Sequence, residues 1–336
     1  MLRTRFTELL GLELPIVQAG MGSIARAELA AAVSDAGGLG TIALVQLPPA
    51  AARAEVRRAR ERTRRPVAVN FLLPFLDPDA LGAVLDAGAR VVTFFWGDAA
   101  PWIGRVHGAG AHAMVQVGSA DEAARAVDAG ADVVIAQGVE AGGHVRGTTS
   151  TLALVPLVVD RVAPVPVLAA GGIADARGIV AALAAGADGA VLGTRFIATP
   201  EVAAHARYRD AIVDASPEDT VLTTLFDAGW PGAPHRVLRT CTVTAWEEAG
   251  QPRSGARSGE HEVVGTARAF GLELPLLRYG PVPPLAEAEG DVDALAFYAG
   301  QSCGLVRSVE PAGEIVRRLG IEAAALIRGR LAAMVV

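Results

Sequence analysis

Five times before residue 190, an alanine-rich helical stretch ends in Ala-Gly and an apolar run follows almost at once. The junctions are Ala36-Gly37, Ala87-Gly88, Ala109-Gly110, Ala129-Gly130 and Ala185-Gly186. Glycine just past a helix C-terminus takes the left-handed conformation that a Cβ disfavours, and the chain can then turn back onto a sheet. The apolar runs are PIVQAG (15–20), LGTIAL (39–44), VAVNFLL (67–73), RVVTFFW (90–96), HAMVQV (112–117), ADVVIAQG (131–138), VPVLAAGG (165–172) and GAVLGTRF (189–196). Most are continuous, as expected of parallel strands covered on both faces. Eight consecutive strand–helix units predict an α/β fold, a closed (β/α)8 TIM barrel; an open doubly wound sheet is the alternative.

After residue 200 the rhythm breaks. Residues 217–290 are rich in Pro, Gly and Arg (PGAPHRVLRT, GQPRSGARSGEHE, RYGPVPPL) and show no clean period. They are expected to form an irregular excursion or lid near the barrel mouth. A short helix over DVDALAFYAG then returns the chain, and an amphipathic helix runs from about residue 312 to 333. The expected division is a barrel over 1–216, a lid or substrate segment over 217–290, and C-terminal helices over 291–336 that complete the barrel domain.

Composition narrows the chemistry. All 30 basic residues are arginine, so no Schiff-base lysine exists, and pyridoxal-phosphate and lysine-aldolase chemistry are removed. Cys241 and Cys303 are far apart and offer neither a disulfide framework nor a zinc site. Net charge is −6 and no basic patch is interleaved with aromatics, which argues against nucleic-acid binding. The apolar stretch 151–173 is interrupted by Asp160, Arg161 and prolines, and the N-terminus lacks a signal-peptide core, so a cytoplasmic protein without a membrane span is expected.

In a barrel the active site forms at the C-terminal ends of the strands. Those ends carry Gln18, Ala19, Gly20 and Met21, then Asn70, Gln116, Gln137 and Gly138, the loop VEAGGHVRG, Gly171-Gly172 and Gly193-Thr194. No carboxylate cage for a metal is present. Loops after the last two strands often hold a phosphate, and glycine lets backbone amides approach it closely. Gly171, Gly172, Gly193 and Thr194 therefore point to a phosphorylated ligand. Among six histidines, only His144 lies in a glycine-flanked loop directly after a barrel strand. A neutral imidazole there could abstract a carbon-bound proton. Arg146 is either a solvated charge or a group that steadies an anionic substrate, and His235 is either structural or reaches over the site from the excursion. Tyr298, Trp96 and Trp102 are equally suited to pocket wall and to packing.

The motifs QGVEAGGH (137–144), AAGGIADARG (169–178), GAVLGTRF (189–196) and YAGQSCGLV (298–306), with LPIVQAGMG (14–22) and VAVNF (67–71), resemble the nitronate monooxygenase (2-nitropropane dioxygenase) family. The resemblance covers essentially the whole chain. It implies an FMN-binding barrel without a metal. The flavin would be held by backbone at Ala19, Gly20 and Met21, by the Asn70 amide, Gln137, Gly142, Gly171, Gly172, Gly193 and Thr194, and by Gln301 of the AGQS motif. His144 would be the catalytic base. The implied reaction takes a nitroalkane or its nitronate, with oxygen, to a carbonyl compound and nitrite. Arg146 displaces the glycine that often follows this histidine to Gly147.

FMN-dependent enoyl-acyl-carrier-protein reductases and some NADH:quinone reductases carry closely similar motifs, so an NAD(P)H-dependent FMN reductase is the alternative. A third reading is a barrel that binds a phosphorylated metabolite without turnover. The expected partners are a small-molecule substrate and oxygen, and the sequence permits a homodimer without requiring one.

Overall fold

The computed structural model describes residues 2–335. The barrel strands are β1 (Ile16–Gln18), β2 (Gly40–Ala43), β3 (Val67–Leu72), β4 (Val91–Phe95), β5 (His112–Val117) and β6 (Val133–Gln137), followed by β8 (Val167–Ala170) and β9 (Gly189–Leu192). The two-residue strand β7 (Gly143–His144) interrupts this series, in the loop after β6. All eight barrel strands pair in parallel, in the order β1-β9-β8-β6-β5-β4-β3-β2. This is the (β/α)8 barrel, and the doubly wound alternative falls. At all five Ala-Gly junctions the glycine has positive φ, between 68° and 100°.

The seam between β1 and β2 is closed by a side chain. Backbone pairing there amounts to one parallel bridge, Val17 to Leu39. Beyond it, the Gln18 carboxamide replaces the ladder: Thr41 N–H donates to Gln18 Oε1 at 2.9 Å and Gln18 Nε2 donates to Thr41 O at 3.1 Å. Gln18 is fully buried, so these bonds form away from competing water.

Strand residues alternate between two cores, as the pleat requires. Val17, Ala68, Val91, Met114, Val133, Ile135, Leu168 and Val191 fill the barrel interior, and Phe6 and Leu10 of the helix Arg5–Leu10 pack against them. Ile16, Val69, Val92, Val115, Val134 and Ala169 face the surrounding helices. With one end of the interior filled, the other is left for a ligand.

Three sequence expectations need correction. GAVLGTRF is not one strand: β9 ends at Leu192, and Thr194–Ile197 forms a helical turn. DVDALAFYAG is not a helix; it makes a 3-10 turn at Val292–Ala294 and continues extended through Tyr298, whose backbone bridges Val237. Residues 217–290 are more regular than their composition suggests. They contain β10 (Thr220–Thr223) and β11 (His235–Leu238), the helix Cys241–Glu248, and an antiparallel sheet of β12 (Val263–Ala269), β13 (Leu272–Leu277) and β14 (Ala288–Gly290). β12 and β13 form a local hairpin that turns at Phe270-Gly271, whereas β14 joins β12 and β11 joins β7 across longer stretches of chain that no local period reveals. The final helix spans Ala312–Leu326 and continues as tighter and looser turns to Met334. No helix of the described residues is long and apolar enough to cross a membrane.

Candidate active site

A cavity of about 310 Å³ opens at the C-terminal ends of the strands. It is lined by Ala19, Gly20, Met21, Asn70, Gln137, Gly142, His144, Gly171, Gly172, Gly193 and Thr194, which were expected there, and by Gln116. Gln301 is not among the lining residues. Its side chain is exposed, because the 3-10 turn Gln301–Leu305 directs it outward, and its N–H donates to Glu140 O at 3.0 Å. The adjacent Ser302 lines the cavity instead.

The glycines are fixed by space as well as by torsion. A Cβ on Gly142 would lie 2.3 Å from Gly300 N and 2.6 Å from Ala299 C, so the histidine loop and the AGQS segment touch backbone to backbone. A Cβ on Gly20 would lie 2.6 Å from Asn70 Cβ. Gly193 differs: its nearest neighbour would be Ala19 Cβ at 3.6 Å, so this position is open on the cavity side. Among the described residues, the N–H groups of Gly172, Gly193 and Thr194 donate to no protein carbonyl, and those donors remain free for an anion. Thr194 Oγ1 is occupied, accepting the Gly300 N–H at 2.9 Å.

No Asp, Glu or Arg lines the cavity, so a bound anion would be met by backbone dipoles alone. Arg146, next to the histidine loop, pairs with Glu122 and stands over the Trp96 ring at 5.6 Å. The described residues hold no cluster of His, Cys, Asp and Glu that could bind a metal.

His144 is half-buried at the cavity wall, in an aromatic setting. Its ring stacks on Trp230 with centroids 4.1 Å apart and planes at 28°. His235, Tyr298 and Trp96 surround it at 5.2, 5.7 and 6.0 Å. His144 Nε2 is buried and makes no hydrogen bond. Desolvation, with a smaller contribution from neighbouring His235, pushes its pKa from 6.5 down to about 3. The ring is therefore neutral at physiological pH with a free lone pair. Gln137 Nε2 donates to the His144 carbonyl at 3.0 Å, which anchors the loop, while Gln137 Oε1 is buried without a partner.

His235, fully buried, is satisfied at both nitrogens. Phe226 N–H donates to Nε2 at 3.1 Å, and Nδ1 faces Ala233 O at 2.9 Å, so the proton resides on Nδ1. This fixes it as a structural residue. Trp102 packs against the outer core and does not line the cavity. Trp230 and Phe75 are cavity residues that sequence reasoning missed. The only local signal at Trp230 is its place in AGWPG, an aromatic in a turn-forming stretch.

A barrel whose cavity is lined with glycine and carries no charged side chain, in a chain without lysine and without a metal-binding cluster among the described residues, suits an enzyme that draws its chemistry from an organic cofactor. The nitronate monooxygenase family model matches residues 3–81 and 77–322, and the chain belongs to that family. It is a flavin-dependent oxidoreductase. The nitronate monooxygenase of Pseudomonas aeruginosa is 34% identical, with 94% of this chain and 97% of that protein covered. An equally extensive match, 33% identical over 96% of both, is the (3aS,4S,5R,7aS)-5-hydroxy-7a-methyl-1-oxo-octahydro-1H-indene-4-carboxyl-CoA dehydrogenase of Mycobacterium tuberculosis. Among solved structures, FabK from Thermotoga maritima superposes with a TM-score of 0.84 at 34% identity over the full length of both chains. Nitroalkane oxidase from Streptomyces ansochromogenes gives 0.72 at 29% identity, with 98% of this chain and 99% of that one covered.

Proposed function

We propose that this protein uses FMN and oxygen to convert alkyl nitronates, and the neutral nitroalkanes that yield them, to carbonyl compounds and nitrite, with His144 as general base. The observation that carries this reading is His144 in the wall of a cavity without charged side chains, its Nε2 buried and without a hydrogen-bond partner. The residues fit FMN. The free amides of Gly172, Gly193 and Thr194 suit its phosphate. The orphaned Gln137 Oε1 and the Asn70 amide suit polar edges of its ring system, and Ala19–Met21, Gly142 and Gly171 give close backbone approach. When bound, the flavin supplies the redox chemistry, taking electrons from the substrate and passing them to oxygen.

The chain's own contribution is a proton transfer and its setting. His144 Nε2 accepts the α-proton of a neutral nitroalkane, and the C–H electron pair moves onto the nitro group. The imidazolium so formed sits beside the nitronate it created, an ion pair in a low-dielectric site. A preformed nitronate needs no base. The test is oxygen uptake and nitrite release with nitroethane and with propyl nitronate; a protein with bound flavin and no turnover of either would overturn the proposal.

A second reading is an NAD(P)H-dependent FMN reductase acting on an enoyl-acyl-carrier-protein or a quinone. It is favoured by the full-length likeness to FabK and to a CoA-thioester dehydrogenase. Anaerobic addition of NADH and NADPH separates the two. A flavin spectrum that persists supports nitronate oxidation, and prompt bleaching supports the reductase.

A further inference from the structure

Neither proton abstraction nor cofactor holding accounts for Trp230. Its indole covers one face of the His144 imidazole and is itself met edge-on by Trp96 at 5.0 Å and Phe75 at 5.1 Å. The loop that carries it, residues 226–233, is fastened at several points. His235 takes the Phe226 N–H on one nitrogen and reaches the Ala233 carbonyl with the other, so one imidazole ties both ends of the loop. Arg257 donates to both Asp227 carboxylate oxygens, at 2.7 and 3.0 Å, and to Leu225 O at 2.9 Å. Trp230 N–H donates to Asp227 O at 2.9 Å. A loop held this firmly presents its indole as a fixed wall.

We infer that Trp230 is a positioning and specificity-determining residue, fixing the plane of the His144 imidazole and limiting the bulk of the substrate at its α-carbon. An imidazole whose Nε2 has no hydrogen bond takes its orientation from packing, and the stacked indole is its nearest aromatic contact. The offset-stacked geometry, 4.1 Å between centroids at 28°, favours one orientation of the imidazole over the others. A substrate α-carbon must come within about 3 Å of Nε2 for proton transfer, so groups attached to that carbon meet the indole wall.

The groups facing His144 from neighbouring elements are His235 on β11, Tyr298 before the AGQS turn, and Arg146 beyond Trp96. None is an anion. Burial among aromatics therefore sets the protonation of His144, and Trp230 is the closest contributor.

The size limit rests on the nitronate reading, whereas the ring environment does not, and the experiment separates them. In Trp230→Ala, the preference for a branched or longer nitroalkane over nitroethane should rise ~10-fold or more in kcat/KM, the scale of a few methylenes in an apolar pocket. The His144 ring titration, followed by NMR of 15N-histidine protein and assigned with His144→Asn, should move up from about 3 toward 6.5. Trp230→Phe should restore both. Unchanged selectivity and an unchanged titration in folded, flavin-loaded Trp230→Ala would overturn the inference; Trp230→Leu carries the same comparison should the alanine variant not fold. A wild-type protein inactive on every nitro compound would sink the functional reading alone, with the titration still deciding the role of Trp230.

Discussion

His144 and His235 stand directly opposite each other in the antiparallel pair of β7 and β11, with ring centroids 5.2 Å apart. Their chemistry is nonetheless opposite. His235 uses both nitrogens on backbone groups, and His144 Nε2 has no partner. A buried polar atom left unpaired costs about 1–3 kcal/mol, so His144 is held in a state the fold alone would not favour. Such unpaired groups call for a functional explanation.

His144→Ala should retain flavin and fold. Activity on neutral nitroalkanes should fall by ~10²–10⁴, the range for loss of a general base. Activity on preformed nitronates should fall far less. Equal loss on both substrates, measured by oxygen uptake, would contradict proton abstraction.

The acid limb of kcat/KM should be displaced. An exposed imidazole loses its base function as pH falls through about 6.5. With a pKa of about 3, His144 stays neutral, and kcat/KM for nitroethane should be flat from about pH 8 down to about pH 5. A half-maximal point near 6.5 would show that the ring titrates as if in water.

Stability should follow the same histidines. Both have folded pKa values depressed by desolvation, to about 3 for His144 and about 4 for His235, from the ordinary 6.5. Below 6.5 the unfolded chain binds protons that the folded chain does not. Their stabilising contribution is thus complete above 6.5 and is lost as pH falls toward the folded values. The Tm should drop between about pH 7 and pH 4.5, and His144→Phe should drop less over that interval. An identical drop in the variant would exclude His144 as a contributor.

Two glycines should part company. Gly193→Ala has room in the protein and a negative φ of −105°, so it should fold like wild type while losing FMN affinity, since the new methyl intrudes on the cavity side. Gly142→Ala collides with backbone at 2.3 Å and should lower the Tm as well. Flavin absorbance per protein and a melting curve on each variant decide this. Full flavin content in Gly193→Ala would move the phosphate site elsewhere.

Gln18→Ala should cost about 2–4 kcal/mol in urea unfolding, because it unpairs the N–H and C=O of Thr41 inside the barrel seam. A loss below about 1 kcal/mol would mean that water or a shift of β2 replaces the carboxamide.

The barrel and most of the residues that line its cavity were legible in the sequence because their causes are local. Alternating cores, left-handed glycines after helices and residues at strand ends all follow from short-range spacing. His144, Gly172 and Gly193 could be placed at one rim because the barrel puts every strand end there. What the sequence could not determine depends on contacts between distant segments. The pairing of β7 with β11 brings residue 144 beside residue 235, and the pinned loop brings residue 230 onto residue 144. Gln301 lies outside the cavity lining for the same reason: a motif gives proximity to a site, but the turn geometry decides that Ser302 faces inward. Short-range patterning was thus enough to specify the architecture and the rim that carries the polar and glycine residues. The tertiary structure decided which histidine is bare and what covers it, because burial and hydrogen-bond partnership belong to the packed chain and not to any residue in it.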